Sequence, residues 1–131
     1  MSRPFIDSNI ILYLLSSDAA KADRAEALLT ERGIISVQVL NEIVSVCIRK
    51  LKMTWEEVES ILLAVKSACE VVPVSLAVQE KAVEISKRYQ LSFYDALICA
   101  AAVLAGAKII LSEDMQDGME IQGSSIKNPF H

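Results

Sequence analysis

With 131 residues, 53% of them hydrophobic, and only 4 glycines and 3 prolines, the chain has enough apolar material for one well-filled domain and is not disordered. A net charge of −4 and a pI near 5.0 exclude a broadly basic face that grips nucleic acid by general phosphate attraction, so any such contact must be local or metal-mediated. The three cysteines, Cys47, Cys69 and Cys99, lack C-x-x-C spacing and sit among apolar residues, the pattern of buried thiols in a reducing compartment, which makes the cytoplasm the expected location.

The elements alternate along the chain. Phe5-Ile6 reads as a short strand running into Asp7, and a helix is expected over 8–15 with a break at Ser17-Asp18. A charged helix over 19–32 is closed by Gly33, and Ile34-Ile35 forms a second strand. Ser36 then caps a helix over 36–50 whose apolar stripe is Val39, Leu40, Ile43, Val44, Cys47, Ile48 and Leu51. Thr54 with Glu57 has capping-box spacing for a helix over 54–67, and Val71-Val72-Pro73-Val74 reads as a third strand, near an edge because of its proline. Ser75 opens a helix over 75–89. Ser92 and Asp95 repeat the capping spacing before an Ala-rich helix closed by Gly106, and 108–111 is the last clear strand. From Met115 onward the expectation is loop, with a short strand at 119–121. The apolar runs at 10–15 and 96–107 are too short for an export signal or a membrane span, so no membrane association is expected.

Strands alternating with helices imply βαβ units, hence an α/β fold with a mainly parallel central sheet flanked by helices, over residues 1–131 as a single domain. Ligands of such sheets bind at the carboxyl ends of the strands. Four acids, each in an apolar segment, are expected at that edge. Asp7 follows the first strand, Glu42 lies in the second turn of one helix, Asp95 in the first turn of another, and Asp114 just beyond the last strand. Each has an ordinary explanation when taken singly: a helix cap for Asp7, a solvated face for Glu42, a favourable helix-dipole position for Asp95, and turn chemistry for Asp114 and Asp117. It is the shared edge that favours a joint role. Unneutralised carboxylates about 5 Å apart repel by about 3 kcal/mol per pair at an effective dielectric of about 20, so a cation is implied.

Phe-Ile-Asp-Ser-Asn near the start, the Asn41-Glu42 helix, Phe-Tyr-Asp-Ala-Leu-Ile ahead of the Ala-rich helix, and Leu-Ser-Glu-Asp after the last main strand together resemble the PIN domain. The short chain and its closing segment, from Met119-Glu120-Ile121 to Asn128-Pro129-Phe130, look most like the VapC-type toxins of toxin–antitoxin modules. The resemblance covers essentially the whole sequence. It implies a PIN-like three-layer fold and a Mg2+- or Mn2+-dependent ribonuclease, with Asp7, Glu42, Asp95 and Asp114 as the acidic quartet. Asp117 matches a further acid of many members, and Ser8, Asn9 and Ser112 match polar positions that help hold metal or its waters. Both Asp114 and Asp117 are candidates for the nearer ligand. A small antitoxin partner, an RNA substrate and a homodimer are implied by the same resemblance.

The residue chemistry is consistent with this. Oxygen ligands with retained waters suit Mg2+ or Mn2+, whereas Zn2+ normally brings His or Cys. The only histidine, His131, ends the sequence, which argues against Ser-His-Asp or Cys-His catalysis and leaves water as the attacking group. A phosphoacceptor receiver needs adjacent acids after the first strand, and a haloacid-dehalogenase-type phosphatase needs Asp-x-Asp, but here the order is Asp7-Ser8-Asn9. The acid spacing at 114–118 does not fit an EF-hand, and there is no phosphate loop. A catalytically silent interaction module of the same fold is the alternative function. Arg49, Lys50 and Lys52 form the densest basic cluster, either as an RNA contact or as a solvated helix end.

Overall fold

A computed structural model describes residues 3–130. His131, expected to take no part in catalysis, lies outside the described residues. The short apolar runs become strands β1 (Phe5–Ile6), β2 (Ile34–Ser36), β3 (Glu70–Val72) and β4 (Ile109–Leu111). Between them run the helices α1 (Ser8–Leu12), α2 (Ala19–Leu29), α3 (Val37–Arg49), α4 (Trp55–Ala68), α5 (Leu76–Tyr89) and α6 (Phe93–Leu104). A terminal hairpin of β5 (Glu120–Ile121) and β6 (Ser124–Lys127) completes the chain.

All six strands form one sheet in the order β3-β2-β1-β4-β6-β5, parallel throughout except for the β5–β6 pair. Phe5 pairs with both Ile34 and Ile110, which puts β1 at the centre. Helices cover both faces of a parallel sheet, which is why the strands read as unbroken apolar runs and not as alternating ones. Phe5, Ile6, Ile35 and Ile110 are fully buried. From β1 the chain first builds outward to β2 and β3 and later returns to lay β4 on the other side. That reversal opens a crevice at the carboxyl ends of β1 and β4, the place where an α/β sheet binds ligands.

Local chemistry sets the helix starts. Asp18, Ser36, Thr54, Ser75 and Ser92 each accept a backbone N–H of the helix they precede. Thr54 and Glu57 form the full reciprocal box. At α6 only half of the expected box exists: Asp95 N donates to Ser92 Oγ at 3.2 Å, and among the described residues no return bond reaches the Asp95 carboxylate. Gly33 does more than stop a helix. A Cβ there would lie 2.6 Å from Ile6 Cδ1 and 2.9 Å from the Pro4 carbonyl oxygen, so glycine is what lets the chain enter β2 against β1.

Several boundaries differ from the sequence expectation. The first helix tightens into a 3-10 turn at Tyr13–Leu15, and α2 stops at Leu29, with Arg32 beyond it at a positive φ of 51°. β3 is shifted to Glu70–Val72, leaving Pro73 just outside a strand that does lie at the sheet edge. Leu51, expected on the core stripe of α3, is 47% exposed, since the helix has ended before it. The tail expected as loop instead forms β6, which pairs parallel with β4. Its hairpin turns on Gln122 (φ 48°) and Gly123 (φ 95°), the two positive φ values that a tight hairpin turn matching strand twist requires.

Candidate functional site

Asp7 emerges from β1 as the N-cap of α1, and its backbone N–H donates to the Leu111 carbonyl at 3.0 Å, tying it to the end of β4. Its carboxylate is buried and accepts from Ser8 N at 2.7 Å, Ser112 Oγ at 2.9 Å and Asn9 Nδ2 at 3.2 Å. Asn9 is the hub of this wall. Its amide nitrogen also donates to Ser112 Oγ and to Asp114 Oδ2, both at 3.2 Å, while its oxygen accepts Glu113 N at 3.1 Å. Ser8 Oγ reaches across to α3 and donates to Glu42 Oε1 at 2.8 Å.

These contacts frame a cleft of about 260 Å3 whose lining includes Asp7, Glu42, Asp95 and Asp114 together with Ser8, Asn9 and Ser45. The four acids expected at the carboxyl edge therefore share one cleft, although they come from α1's cap, α3, α6 and the loop after β4. Asp117 is not among the lining residues; its Oδ1 accepts the backbone N–H of Asn128 at 2.8 Å and fastens the tail after β6. Ser112 lies buried behind Asp7 and acts on the cleft through it.

The electrostatics are those of clustered anions. Burial pushes the Asp7 carboxyl up from 3.8 to about 6 against the opposing pull of the Ser112 and Ser8 hydrogen bonds, with the Glu42 and Asp95 charges adding to the rise. Glu42 is also raised, chiefly by burial and further by Asp95 and Asp114, while hydrogen bonds from Ser8 and Gln38 oppose the shift. Cys99 lies behind the cleft, its thiol pushed up to about 12 by burial first and then by the Asp7 and Asp95 charges, so it is an inert thiol there. No lysine or arginine lines the cleft. The nearby Lys21 is engaged elsewhere, donating at 3.1 Å to both Glu113 Oε2 and Tyr13 Oη and lying 4.6 Å from the Tyr13 ring centroid.

Among the described residues the donors lining the cleft are all oxygen apart from the Asn9 amide nitrogen, with no sulfur or imidazole. That chemistry fits a hard divalent cation. Among the described residues no three His, Cys, Asp or Glu side chains draw together into a closed ligand cage. A small hard ion that keeps several of its waters can be held by carboxylates partly through those waters, with substrate phosphate completing its shell, and needs no such preformed cage.

Two features escaped the sequence reading. Ser45, one turn beyond Glu42 on α3, lines the same cleft, a position that helical spacing from Glu42 could have indicated. The Tyr13–Lys21–Glu113 cluster with Phe130 stacked edge-on to Tyr13 joins segments far apart in sequence, and no local pattern announces it.

Fold and site together define an α/β protein with an acidic cleft at the switch point of a parallel sheet. The chain belongs to the PIN domain family, whose sequence profile matches residues 5–116. Solved structures agree on the fold. A toxin–antitoxin complex from Klebsiella pneumoniae is similar with a TM-score of 0.73 at 24% identity, covering 96% of this chain and 97% of that one. DNA-bound VapBC from Salmonella typhimurium has a TM-score of 0.73 at 18% identity, covering 98% and 99%. VapC20 of Mycobacterium tuberculosis, described as a sarcin–ricin loop cleaving toxin, has a TM-score of 0.68 at 20% identity, covering 85% and 89%. A search of curated proteins found no match in sequence. Among the described residues no helix is long and apolar enough to cross a membrane.

Proposed function

We propose that this chain is a Mg2+- or Mn2+-dependent endoribonuclease that cleaves RNA phosphodiester bonds by water attack, and that it is the toxin of a toxin–antitoxin pair acting in the cytoplasm. The observation that carries the reading is the convergence of Asp7, Glu42, Asp95 and Asp114 from four separate segments on one cleft without a cationic side chain in its lining. Asp7, Glu42 and Asp95 would hold the ion, with Asp114 at a second position or acting through water. When bound, a divalent ion supplies an activated water and charge stabilisation at the leaving oxygen. The protein's own part is to hold the carboxylates in place. Ser112 and Asn9 fix Asp7, Asn9 fixes Asp114, and Ser8 fixes Glu42. Water as the attacking group is supported by a cleft lining that, among the described residues, includes neither cysteine nor histidine.

An antitoxin partner is supported by the similar structures that are toxin–antitoxin complexes and by an apolar hollow beside the cleft. That hollow, about 280 Å3, is lined by Leu12, Tyr13, Leu15, Val46 and Leu51 and shares Asn9 and Asp114 with the acidic cleft, so a helix seated in it would block the site. Self-association is supported by exposed apolar side chains such as Leu63 (67%) and Leu76 (72%).

Purified protein incubated with RNA in Mg2+ or Mn2+ is expected to cleave it, to stop in chelator and to recover on metal addition. Absence of cleavage with either metal, while the protein still binds a protein partner, would establish the silent interaction module instead. Light scattering is expected to give a dimer, and a monomer at high concentration would remove the self-association. Overexpression is expected to arrest growth of a host lacking the antitoxin; an intact, soluble chain that is harmless there would remove the toxin role.

A further inference from the structure

Next to the acidic cleft is a second pocket of about 340 Å3, lined by Gln38, Asn41, Glu42, Ser45, Arg49 and Tyr94. Glu42 and Ser45 line both, so the pocket adjoins the cleft and lengthens it into a trough past Tyr94. Tyr94 immediately precedes Asp95 at the start of α6 and is 64% exposed, with its ring edge-to-face against Phe93 at 6.2 Å. So exposed an aromatic adds little to the core. Arg49, in the last turn of α3, is exposed, and among the described residues no carboxylate pairs with its guanidinium. With Lys50 it also lines the shallow depression that continues from Ser45 and Val46.

We propose that this trough seats an unpaired nucleotide of the RNA beside the phosphate to be cleaved, its base stacked on Tyr94, the Arg49 guanidinium on a neighbouring phosphate, and the Asn41 amide available to the base edge. The assignment rests on the ribonuclease reading above. An acidic protein cannot hold a polyanion by net charge, and stacking on an aromatic face is a grip that carries no charge and accepts any base. One local cation then suffices to orient the backbone. A base inside a duplex has no free face, so the trough selects single-stranded or looped RNA.

The test uses fluorescence anisotropy with a fluorescein-labelled, ten-nucleotide single-stranded RNA of mixed sequence carrying phosphorothioate linkages, in Ca2+, alongside KM and kcat for cleavage of the unmodified RNA in Mg2+. Tyr94→Ala is expected to weaken binding roughly 5- to 30-fold, by the same factor at low and moderate salt, to raise KM with little change in kcat, and to be rescued by Tyr94→Phe. Arg49→Gln is expected to weaken binding most at low salt and to lower the log–log salt slope by about 0.7. A blunt-ended duplex of the same strand, without a loop, should bind poorly. Wild-type affinity and KM in both Tyr94→Ala and Arg49→Gln would overturn the proposal, as would a wild-type protein that does not bind the probe. Loss of self-association in Tyr94→Ala with RNA affinity intact would overturn it too, marking the trough as a contact between copies. The two readings fail separately: Tyr94-dependent binding without cleavage keeps the subsite and removes the nuclease, whereas cleavage with unchanged KM in Tyr94→Ala does the reverse.

Discussion

The two walls of the acidic cleft are built differently. On one side Asp7 is 4% exposed and its carboxylate takes three hydrogen bonds, from Ser8, Ser112 and Asn9, so its position is set by the end of β1 and the start of α1 before anything binds. The Asp95 side is open: its carboxylate takes no hydrogen bond among the described residues, while Asp114, tied to the bonded wall by a single bond from Asn9, is exposed. A buried carboxylate without donors would be far too costly, so the first wall must be bonded by the protein itself. The open wall has no such requirement. It leaves carboxylate oxygens free for a cation, which is consistent with the absence of a closed three-ligand cage among the described residues.

If the bonded wall anchors the ion, Asp7→Asn should have the largest effect. Cleavage is expected to fall by about a thousandfold or more, since several kcal/mol of charge stabilisation are lost at 1.36 kcal/mol per decade. Metal-free stability should move the opposite way. The Asp7 carboxyl titrates near 6 in the folded chain and near 3.8 unfolded, so it is protonated in both states at low pH. As pH rises from about 4 to 6 the unfolded chain releases this proton first, and wild type loses stability, up to about 3 kcal/mol, with the loss complete above 6. Asp7→Asn should flatten that window, a difference that denaturant melts in chelator at pH 4, 5, 6 and 7 will show. Parallel curves would mean that the buried wall is not strained.

Asp95→Asn sharpens the comparison from the open side. Metal-dependent cleavage should drop by about a hundredfold or more, because asparagine is a weaker ligand for a hard cation. The substitution should narrow the Asp7 stability window only in part, because burial is the largest cause of that carboxyl's rise and the Asp95 charge a lesser one. Full metal-dependent activity in this variant would leave Asp95 as a helix-dipole residue only. Ser112→Ala ranks next. It deletes the 2.9 Å bond to Asp7 and an acceptor for Asn9, and is expected to cost about 1–3 kcal/mol of stability and about 10- to 100-fold in cleavage. Activity unchanged in Ser112→Ala would mean that the bonded wall is stabilised for folding alone.

The same contrast explains what the sequence could disclose. Strand ends and helix starts are local features, so Asp7, Asp95 and Asp114 could be placed at the carboxyl edge from the apolar runs and capping residues around them. Glu42 was harder. A helical wheel of α3 shows only where its own core lies, and a side chain pointing away from that stripe looks solvated until Ser8 from α1 is seen to meet it at 2.8 Å. The stripe also overran its helix, carrying Leu51 into the core pattern although the helix ends at Arg49. β6 was missed because Ser124-Ser125-Ile126-Lys127 offers a single apolar residue; its strand character comes from pairing with β4, a tertiary fact. The Gln122-Gly123 turn was the one local clue to it.

Asp114 and Asp117, alike in sequence, are separated by the fold, and this yields the smallest predicted effect. One faces the cleft and the other caps the Asn128 N–H at 2.8 Å, at the exit of β6. Asp117→Ala removes that acceptor from an exposed backbone donor that water can partly satisfy, so the stability loss should lie near 0.5–1 kcal/mol, at the low end for a hydrogen bond. Cleavage should stay within about twofold of wild type, because the β4 end, Asn9 and Asp114 keep their contacts. Asp114→Ala, prepared alongside, should lose far more activity for a similar or smaller change in stability. Paired cleavage assays in Mg2+ and melts in chelator separate these outcomes. An Asp117→Ala variant as inactive as Asp7→Asn would make Asp117 a ligand after all, requiring the loop after β4 to rearrange when metal and substrate arrive.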